Sequence, residues 1–549
     1  MFKINSLYLS DGYKVGHKAM LAPNTTRLYG TWIPRSTKHA PKGVNKIVSF
    51  GQQLAWRWLH DEFEENFFFN QVRNESRNYE MSGGIEASKI CDTEALKAKA
   101  LKFVEDMSLY LGMEYDGKHF AELWDLGYLP IKVKSLPEGF ETPANVPHMT
   151  FINTVDGFAW LTLYLETIVS SLAWKPSTSA TIALKYKRAM HEWVNKTDPQ
   201  NAWLIDFMAH DFSARGLSPW DMVSSGLGHA TSFKGSDTLA VIPAARYFYG
   251  VGENEMPIFS VNASEHSCST TKIFTVGEKQ MLSDWMTIFP TGILSVVSDT
   301  FDLWKLITEY LPALKDQILS RDGKLVIRPD SGDPVDIICG LNTKEGFMES
   351  LKDEVYQKHS SWFTPKDSPE VKGVIELLWD IFGGTINEQG YKVLDPHIGC
   401  IYGDSITPDR QVQIYERLAA KGFAATNIVL GVGSYTYQMN TRDTLGFAAK
   451  GAWFEVKEDC VKSECTCDCV DKCLNPTVTA YNIYKDPVTD DGAKKSLKGF
   501  VCVTEDMEVL TECDVETENS GILRTIYEDG NFYNLQTLED IRSNINKLI

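Results

Sequence analysis

The sequence predicts an α/β barrel accompanied by a second α/β, sandwich-like domain built from both chain ends. Three observations predict it. From about residue 200 to 434, short apolar runs of strand length each end in a polar, glycine-rich or charged loop: AWLIDFMAHDFSARG, MPIFSVNASEHS, GILSVVSDTFD, KLVIRPDSGDP, IGCIYGDS and NIVLGVGS. Between them lie stretches with helical spacing of apolar residues, such as DLWKLITEYLPALKDQIL and QVQIYERLAAKG. The flanks differ, because YLPIKVKSLPEGFETP alternates in character with Pro and Gly at its turns, and the chain after residue 450 is again strand-rich.

Continuous apolar strands alternating with helices describe a parallel sheet covered on its outer faces, and this many units favour a barrel over an open sheet. The expected boundaries are 1–180 for the first part of the sandwich-like domain, 181–440 for the barrel and 441–549 for the second part. A cysteine-rich insertion occupies about 455–478.

Composition narrows the function classes. With a formal net charge of −19, the 549-residue chain lacks the electrostatic footprint of a nucleic-acid or anionic-membrane binder, so an anionic ligand has to be met locally. The N-terminus has no basic region leading into an apolar core, and the greasiest run, FAWLTLYLETIVSSLAW, is interrupted by Glu166. The expectation is a cytoplasmic protein. Eleven cysteines, an odd number, with Cys91, Cys268, Cys339, Cys400, Cys502 and Cys513 scattered, fit reduced thiols better than a disulfide framework.

In barrels the chemistry sits at the C-terminal ends of the strands, which is where this chain places Asp, Arg, His and Ser. In RPDSGDP, Arg328 can fork onto a phosphate or stack on a flat ring, and Asp330 can bind Mg²⁺ or ribose hydroxyls; the plainer reading is an Asp-capped turn. GVGS, with Gly433 and Ser434, is a glycine loop late in the series, where backbone amides commonly meet phosphate, and Arg442 and Lys450 supply cationic charge. Asp404 in GDS and Asp299 in VVSD, with Asp302 nearby, are each a hard oxygen ligand or a helix N-cap. HDFSARG brings together His210, Asp211, Phe212 and Arg215, an aromatic face and a guanidinium able to sandwich a planar heterocycle. Asp237 can accept hydrogen bonds from a carboxamide and would repel a carboxylate. In ASEHS, Glu265 precedes His266, an imidazole able to act as acid or base, metal ligand or phosphoryl acceptor, or to be merely structural.

Taken in order, DGYKVGHK, LPIKVKSLPEGF, HDFSARG, FKGSDT, ASEHS, VVSD, IRPDSGDP, YGDS, GVGS, TRD and YKDPV resemble the nicotinamide phosphoribosyltransferases over nearly the whole chain. The resemblance implies transfer of phosphoribosyl from phosphoribosyl pyrophosphate to nicotinamide, giving nicotinamide mononucleotide and pyrophosphate, with Mg²⁺ and with ATP hydrolysis coupled through a phosphohistidine, in NAD salvage. It implies that Phe212 stacks on the nicotinamide ring opposite Tyr13 of a second subunit, that Asp11 is also lent by that subunit in a homodimer, and that Asp237 holds the amide with Arg328 alongside. Arg215, Ser260, Ser295, Gly403, Asp404, Gly433, Ser434, Arg442 and Lys450 would surround the phosphoribosyl group, with Asp299 and Asp330 nearest the ribose and the pyrophosphate metal. His266 would be phosphorylated, with Glu265 beside it, and Arg35, Lys485 and Lys494 would hold ATP.

Two loops depart from the family pattern: HDFSARG stands where some members have HDFGYRG, and GVGSYTY is shorter than some glycine runs. The largest departure is the insertion carrying Cys460, Cys465, Cys467, Cys469 and Cys473, which offers enough thiolates for Zn²⁺ although its spacing is not that of paired CxxC knuckles. An acidic loop with adventitious thiols is the alternative. Competing functions are transfer to nicotinate, which Asp237 opposes, and a non-catalytic nucleotide-binding protein, which would have no need of a phosphorylatable histidine.

Overall fold

The computed structural model describes residues 4–74, 92–341, 368–403, 405–458, 476–489 and 496–549. Asp404, Lys494, Cys91 and the five clustered cysteines lie outside the described residues, and so does the Zn²⁺ expectation that rests on the cluster. The chain divides into two compact units. One comprises Met1–Thr178, Phe248–Gly250 and Thr441–Asn544, and the other Ser179–Tyr247, Val251–Asn440 and Ile545–Ile549.

The first unit is organised on a seven-stranded antiparallel sheet in the order Thr477–Asn482, Ala448–Glu458, Thr25–Ile33, Met149–Asn153, Ile131–Ser135, Arg524–Glu528, Asn531–Phe532. Strands from both chain ends thus share one sheet. Ile131 and Val133 of IKVKS are buried, while Lys134 is buried only because Glu518 and Asn519 take up its ammonium. Trp32 stacks on Phe447 at 4.3 Å, fixing the segment before Ala448 beside the end of the strand Thr25–Ile33.

Glu138 is a second buried charge in this unit. Its carboxylate accepts from the Gly51 and Gln53 amides, at 3.1 and 2.8 Å, and lies beside the Tyr249 hydroxyl. Burial pushes its carboxyl up to about 7, against the pull of those amides.

The second unit contains the barrel: β1 (Ala209–Asp211), β2 (Gly235–Ser236), β3 (Asn262–Ala263), β4 (Thr291–Val297), β5 (Asp322–Arg328), β6 (Ile398–Tyr402) and β7 (Ile428–Val432). All pairings are parallel, in the order β2-β1-β7-β6-β5-β4-β3. The extended stretch leading into β3 closes the ring, since Phe259 bridges to Gly235 of β2 through the bonds Ser236 N–H to Phe259 C=O, 3.0 Å, and Phe259 N–H to Lys234 C=O, 2.7 Å. The expected barrel is therefore the observed one.

Leu294 and Val296 of β4, Leu325 and Ile327 of β5, and Leu430 and Val432 of β7 join one apolar cluster with the surrounding helices. QVQIYERLAAKG forms the helix Pro408–Ala420, its amide at Arg410 capped by Thr407. The stretch DLWKLITEYLPALKDQIL, read as helically spaced, is helical but interrupted: Leu303–Lys305, a wide turn at Leu306–Tyr310, Leu311–Ala313 and Lys315–Leu319. Pro312 explains the break, because proline has no N–H to give to the preceding turn. FAWLTLYLETIVSSLAW belongs to the helices Ala159–Tyr164 and Glu166–Thr197, and among the described residues no helix is long and apolar enough to cross a membrane.

Leu325 is fully buried in the barrel cluster, so Leu325→Ala is expected to destabilise by about 2–5 kcal/mol in denaturant unfolding. Glu138 gives a pH-dependent outcome. Its folded carboxyl holds a proton more tightly than the ordinary value of 4.5 allows, so its contribution to stability is complete below about pH 4.5 and is lost as pH rises through about 7. Glu138→Gln is expected to be more stable than the parent at pH 8, on the order of 3 kcal/mol at most, with the difference vanishing near pH 4. Unfolding midpoints across that range measure it.

Candidate active site

The barrel mouth is assembled from the residues that follow the seven strands β1 to β7. In the β4–β5 register Val297 stands opposite Arg328, so Asp299 and Asp330, each two residues further on, emerge side by side. The Asp330 amide donates to Asp299 Oδ2 at 2.9 Å. Ser298 seals the step below: its amide donates to the Arg328 carbonyl at 2.9 Å, and its hydroxyl oxygen accepts from the Arg328 amide at 3.2 Å.

RPDSGDP divides its two aspartates between tasks. Asp333 caps the helix Pro334–Cys339 by accepting from the Val335 and Asp336 amides, while Gly332, at φ +94°, turns the chain in a conformation that favours glycine and leaves Asp330 at the mouth. Asp302 also proves to be a cap, accepting from the Lys305 amide at 3.0 Å, whereas Asp299 caps no helix.

His266 begins the helix His266–Val276, with its side chain about half exposed. Its Nε2 lies 3.8 Å from Asp299 Oδ1 and 3.9 Å from Asp330 Oδ2, and Nδ1 is 3.2 Å from the Thr300 hydroxyl. Glu265, immediately before it, is exposed and makes no capping bond. Asp299 Oδ1 is buried without a hydrogen-bond partner among the described residues. Such an oxygen fits a cation or an N–H donor. Among the described residues no three His, Cys, Asp or Glu side chains form a metal cage, so a Mg²⁺ ion here would need oxygen ligands from the substrate as well.

Arg328 reaches from the end of β5 to the Ser264 carbonyl. Burial lowers its pKa, while Asp330, Asp237 and Asp299 favour the charge and exposed Arg215 opposes it. Asp237 follows β2, and its Oδ1 accepts from Ser260 and lies 3.0 Å from His210 Nε2. Burial would raise the Asp237 carboxyl, but His210, Ser260 and Arg328 together hold it below the usual carboxylate value. Ser260 thus stands with Asp237. Ser295 lies within β4, buried, its hydroxyl without a partner among the described residues. Phe212 follows β1, its amide bonded to the Val432 carbonyl at 2.8 Å and its ring 4.7 Å from that of His210.

Gly433 approaches the Phe212 backbone, where an added Cβ would stand 3.5 Å from the Phe212 carbonyl carbon, and Ser434 opens the turn that follows. Gly403 is held against Asp330 more tightly, because a Cβ there would fall 2.3 Å from Asp330 Oδ1.

The remaining expected residues belong to the first unit. Antiparallel register brings Arg35, Lys450 and Lys485 towards one end of its sheet. Arg35 donates to the Gly446 carbonyl at 2.9 Å, Arg442 meets Asp443 at 3.2 Å, and Lys450 lies 3.7 Å from Glu166. Glu166 also takes the buried ammonium of Lys14 at 2.8 Å, which anchors the short helix bearing Tyr13. Asp11 accepts from Thr167 at 2.6 Å, and the Tyr13 side chain is 67% exposed. Sequence reasoning left Ser264, Ser298, Thr300 and Glu166 without roles and gave none to His210. Only Ser264 and Ser298, directly after β3 and β4, carried a signal, as turn formers.

A parallel barrel with such a mouth of Asp, Arg and His suits an enzyme acting on a phosphorylated substrate, and comparison with known proteins places it in the phosphoribosyltransferase class. The model of the nicotinate phosphoribosyltransferase (NAPRTase) family matches residues 207–531. A nicotinamide phosphoribosyltransferase of Acinetobacter baylyi is 37% identical over 563 aligned positions, covering 99% of this chain and 97% of its own. One from Mycoplasma pneumoniae is 36% identical, covering 81% and 89%. One from Xanthomonas campestris is 30% identical, covering 76% and 79%. The chain belongs to the nicotinate phosphoribosyltransferase family.

Gly403→Ala should displace the Asp330 carboxylate without disturbing the core. The expected outcome is a loss of transferase turnover of about tenfold or more with an unfolding midpoint within a few degrees of the parent, measured by steady-state kinetics and thermal melts.

Proposed function

We propose that the chain transfers phosphoribosyl from phosphoribosyl pyrophosphate to nicotinamide, coupled to ATP hydrolysis through His266, in NAD salvage. The observation that carries the choice of nicotinamide is the ionised Asp237, with Oδ1 engaged by Ser260 and His210 and Oδ2 left without a protein partner among the described residues. An amide N–H can donate to that oxygen, whereas a carboxylate ligand would set anion against anion. The names of the three relatives agree with this choice.

In the reaction, the pyridine nitrogen forms a bond to C1 of the ribose while the C1–oxygen bond to pyrophosphate breaks, the electron pair leaving with pyrophosphate. Phe212 stacks on the ring and Asp237 sets its rotation, so the nitrogen faces C1. Positive charge develops on the sugar, which the carboxylates of Asp299 and Asp330 favour, while Arg328 and Arg215 would meet the phosphate oxygens. Gly403, Gly433 and Ser434 would supply close backbone approach. Asp299 and Asp330 would hold Mg²⁺, which when bound offsets charge on the leaving pyrophosphate.

His266 stands exposed at a helix N-terminus, suited to take the terminal phosphoryl group of ATP on a ring nitrogen, with release of ADP. Arg35 and Lys485 would hold ATP, and Arg442 and Lys450 the phosphates. The exposed Tyr13 and the Thr167-held Asp11 suit donation to the barrel of a second copy in a homodimer. A cytoplasmic location fits these substrates.

Asp237→Ala should raise KM for nicotinamide by about tenfold or more and narrow the preference over nicotinate. His266→Ala should keep basal transfer and lose the enhancement by ATP, read from initial rates with and without ATP. Full ATP enhancement in the histidine variant would remove the phosphohistidine role, and an unaltered nicotinamide KM in the aspartate variant would remove the basis for substrate choice.

A further inference from the structure

A carboxylate whose side chain is 42% exposed is free to turn between rotamers unless something holds it. At Asp237 the holding group on the barrel side is His210. Its side chain is 11% exposed, and it lies in register with Gly235 across the β1–β2 pair. The absence of a side chain at Gly235 gives the ring its place, since a Cβ there would stand 3.0 Å from Nδ1.

We infer that His210 is the positioning residue that aims Asp237 at the substrate carboxamide and sets its distance from the stacking surface of Phe212. The inference rests on the reading of Asp237 as the amide acceptor. An ionised carboxylate only accepts hydrogen bonds, so the His210 nitrogen facing it, Nε2 at 3.0 Å, carries the hydrogen. Ser260 donates to the same Oδ1, so the two donors leave Oδ2 as the open oxygen. The same imidazole meets Phe212, with ring centroids 4.7 Å apart and planes at 40°. One side chain therefore touches both the proposed stacking surface and the amide acceptor.

The loop backbone has separate support. The Asp237 amide donates to the Asp211 carbonyl at 3.0 Å, and the Thr238 hydroxyl donates to Asp211 Oδ2 at 2.7 Å. The Ser213 amide donates to Asp211 Oδ1 at 2.9 Å. Removing the imidazole donor should thus leave the loop in place and loosen the Asp237 side chain alone. The effect should appear in binding of the ring rather than in the chemical step.

Steady-state kinetics with nicotinamide and with nicotinate, on His210→Gln, His210→Asn, Asp237→Ala and the His210→Asn/Asp237→Ala pair, test this. The terminal amide of Gln reaches the position of Nε2, whereas that of Asn stops near Nδ1. His210→Asn should raise KM for nicotinamide about tenfold or more, change kcat less than about threefold, and reduce the preference over nicotinate. His210→Gln should restore KM to within about threefold of the parent, and the pair should be no worse than Asp237→Ala alone. An unchanged KM in His210→Asn, or equal impairment in the Asn and Gln variants, would overturn the inference. Should His210→Asn fail to fold, His210→Gln decides alone, and a tenfold rise in its KM counts against the role. An Asp237→Ala variant with unaltered KM would overturn the underlying reading of Asp237, and is distinguishable because it involves no change at His210.

Discussion

The pairing of β4 with β5 is the constraint on which the mouth depends. With Val297 opposite Arg328, Asp299 and Asp330 must emerge together, and the Asp330 amide closes on Asp299 Oδ2. A slip of one residue would turn Leu294, Val296, Leu325 and Ile327 out of the apolar cluster, so the hydrophobic effect that builds the barrel also enforces the alignment of the two carboxylates. Barrel closure through Phe259 does the same for the other side, placing Ser260 against Asp237 and the helix of His266 next to the β4 end.

From that frame follows the electrostatic logic. A chain of net charge −19 has no general attraction for a polyanion, and three aspartates at the mouth deepen the problem. Arg328 answers it locally: partly buried beside Asp330, Asp237 and Asp299, it pairs its charge with theirs at short range, where the medium screens less than water. Within the first unit, the antiparallel register of three strands sets Arg35, Lys450 and Lys485 near one end of the sheet.

Much of this was legible in the sequence, because a strand followed by a polar loop has a local signature. IRPDSGDP, HDFSARG, FKGSDT and ASEHS each contribute to the mouth. What one sequence does not show is how a side chain divides between duties that share a chemistry. Asp330 and Asp333 look alike in PDSGDP, yet one faces the site and the other caps a helix, a difference made by the left-handed turn at Gly332. Asp302 and Asp299 part in the same way. The pairing of His210 with Asp237 and that of Lys450 with Glu166 join residues far apart in the chain, and no periodicity reports such contacts. The helix after Asp302 is interrupted by Pro312, which regular apolar spacing alone does not reveal.

Phosphoribosyl transfer to nicotinamide at this barrel mouth remains the proposal that every residue role above serves. The most direct measurement is mass spectrometry of the products formed by the purified chain from phosphoribosyl pyrophosphate, Mg²⁺ and ATP with equimolar nicotinamide and nicotinate. Nicotinamide mononucleotide is the expected dominant product, with pyrophosphate released in equal amount. Dominant nicotinate mononucleotide, or no mononucleotide at all, would contradict it.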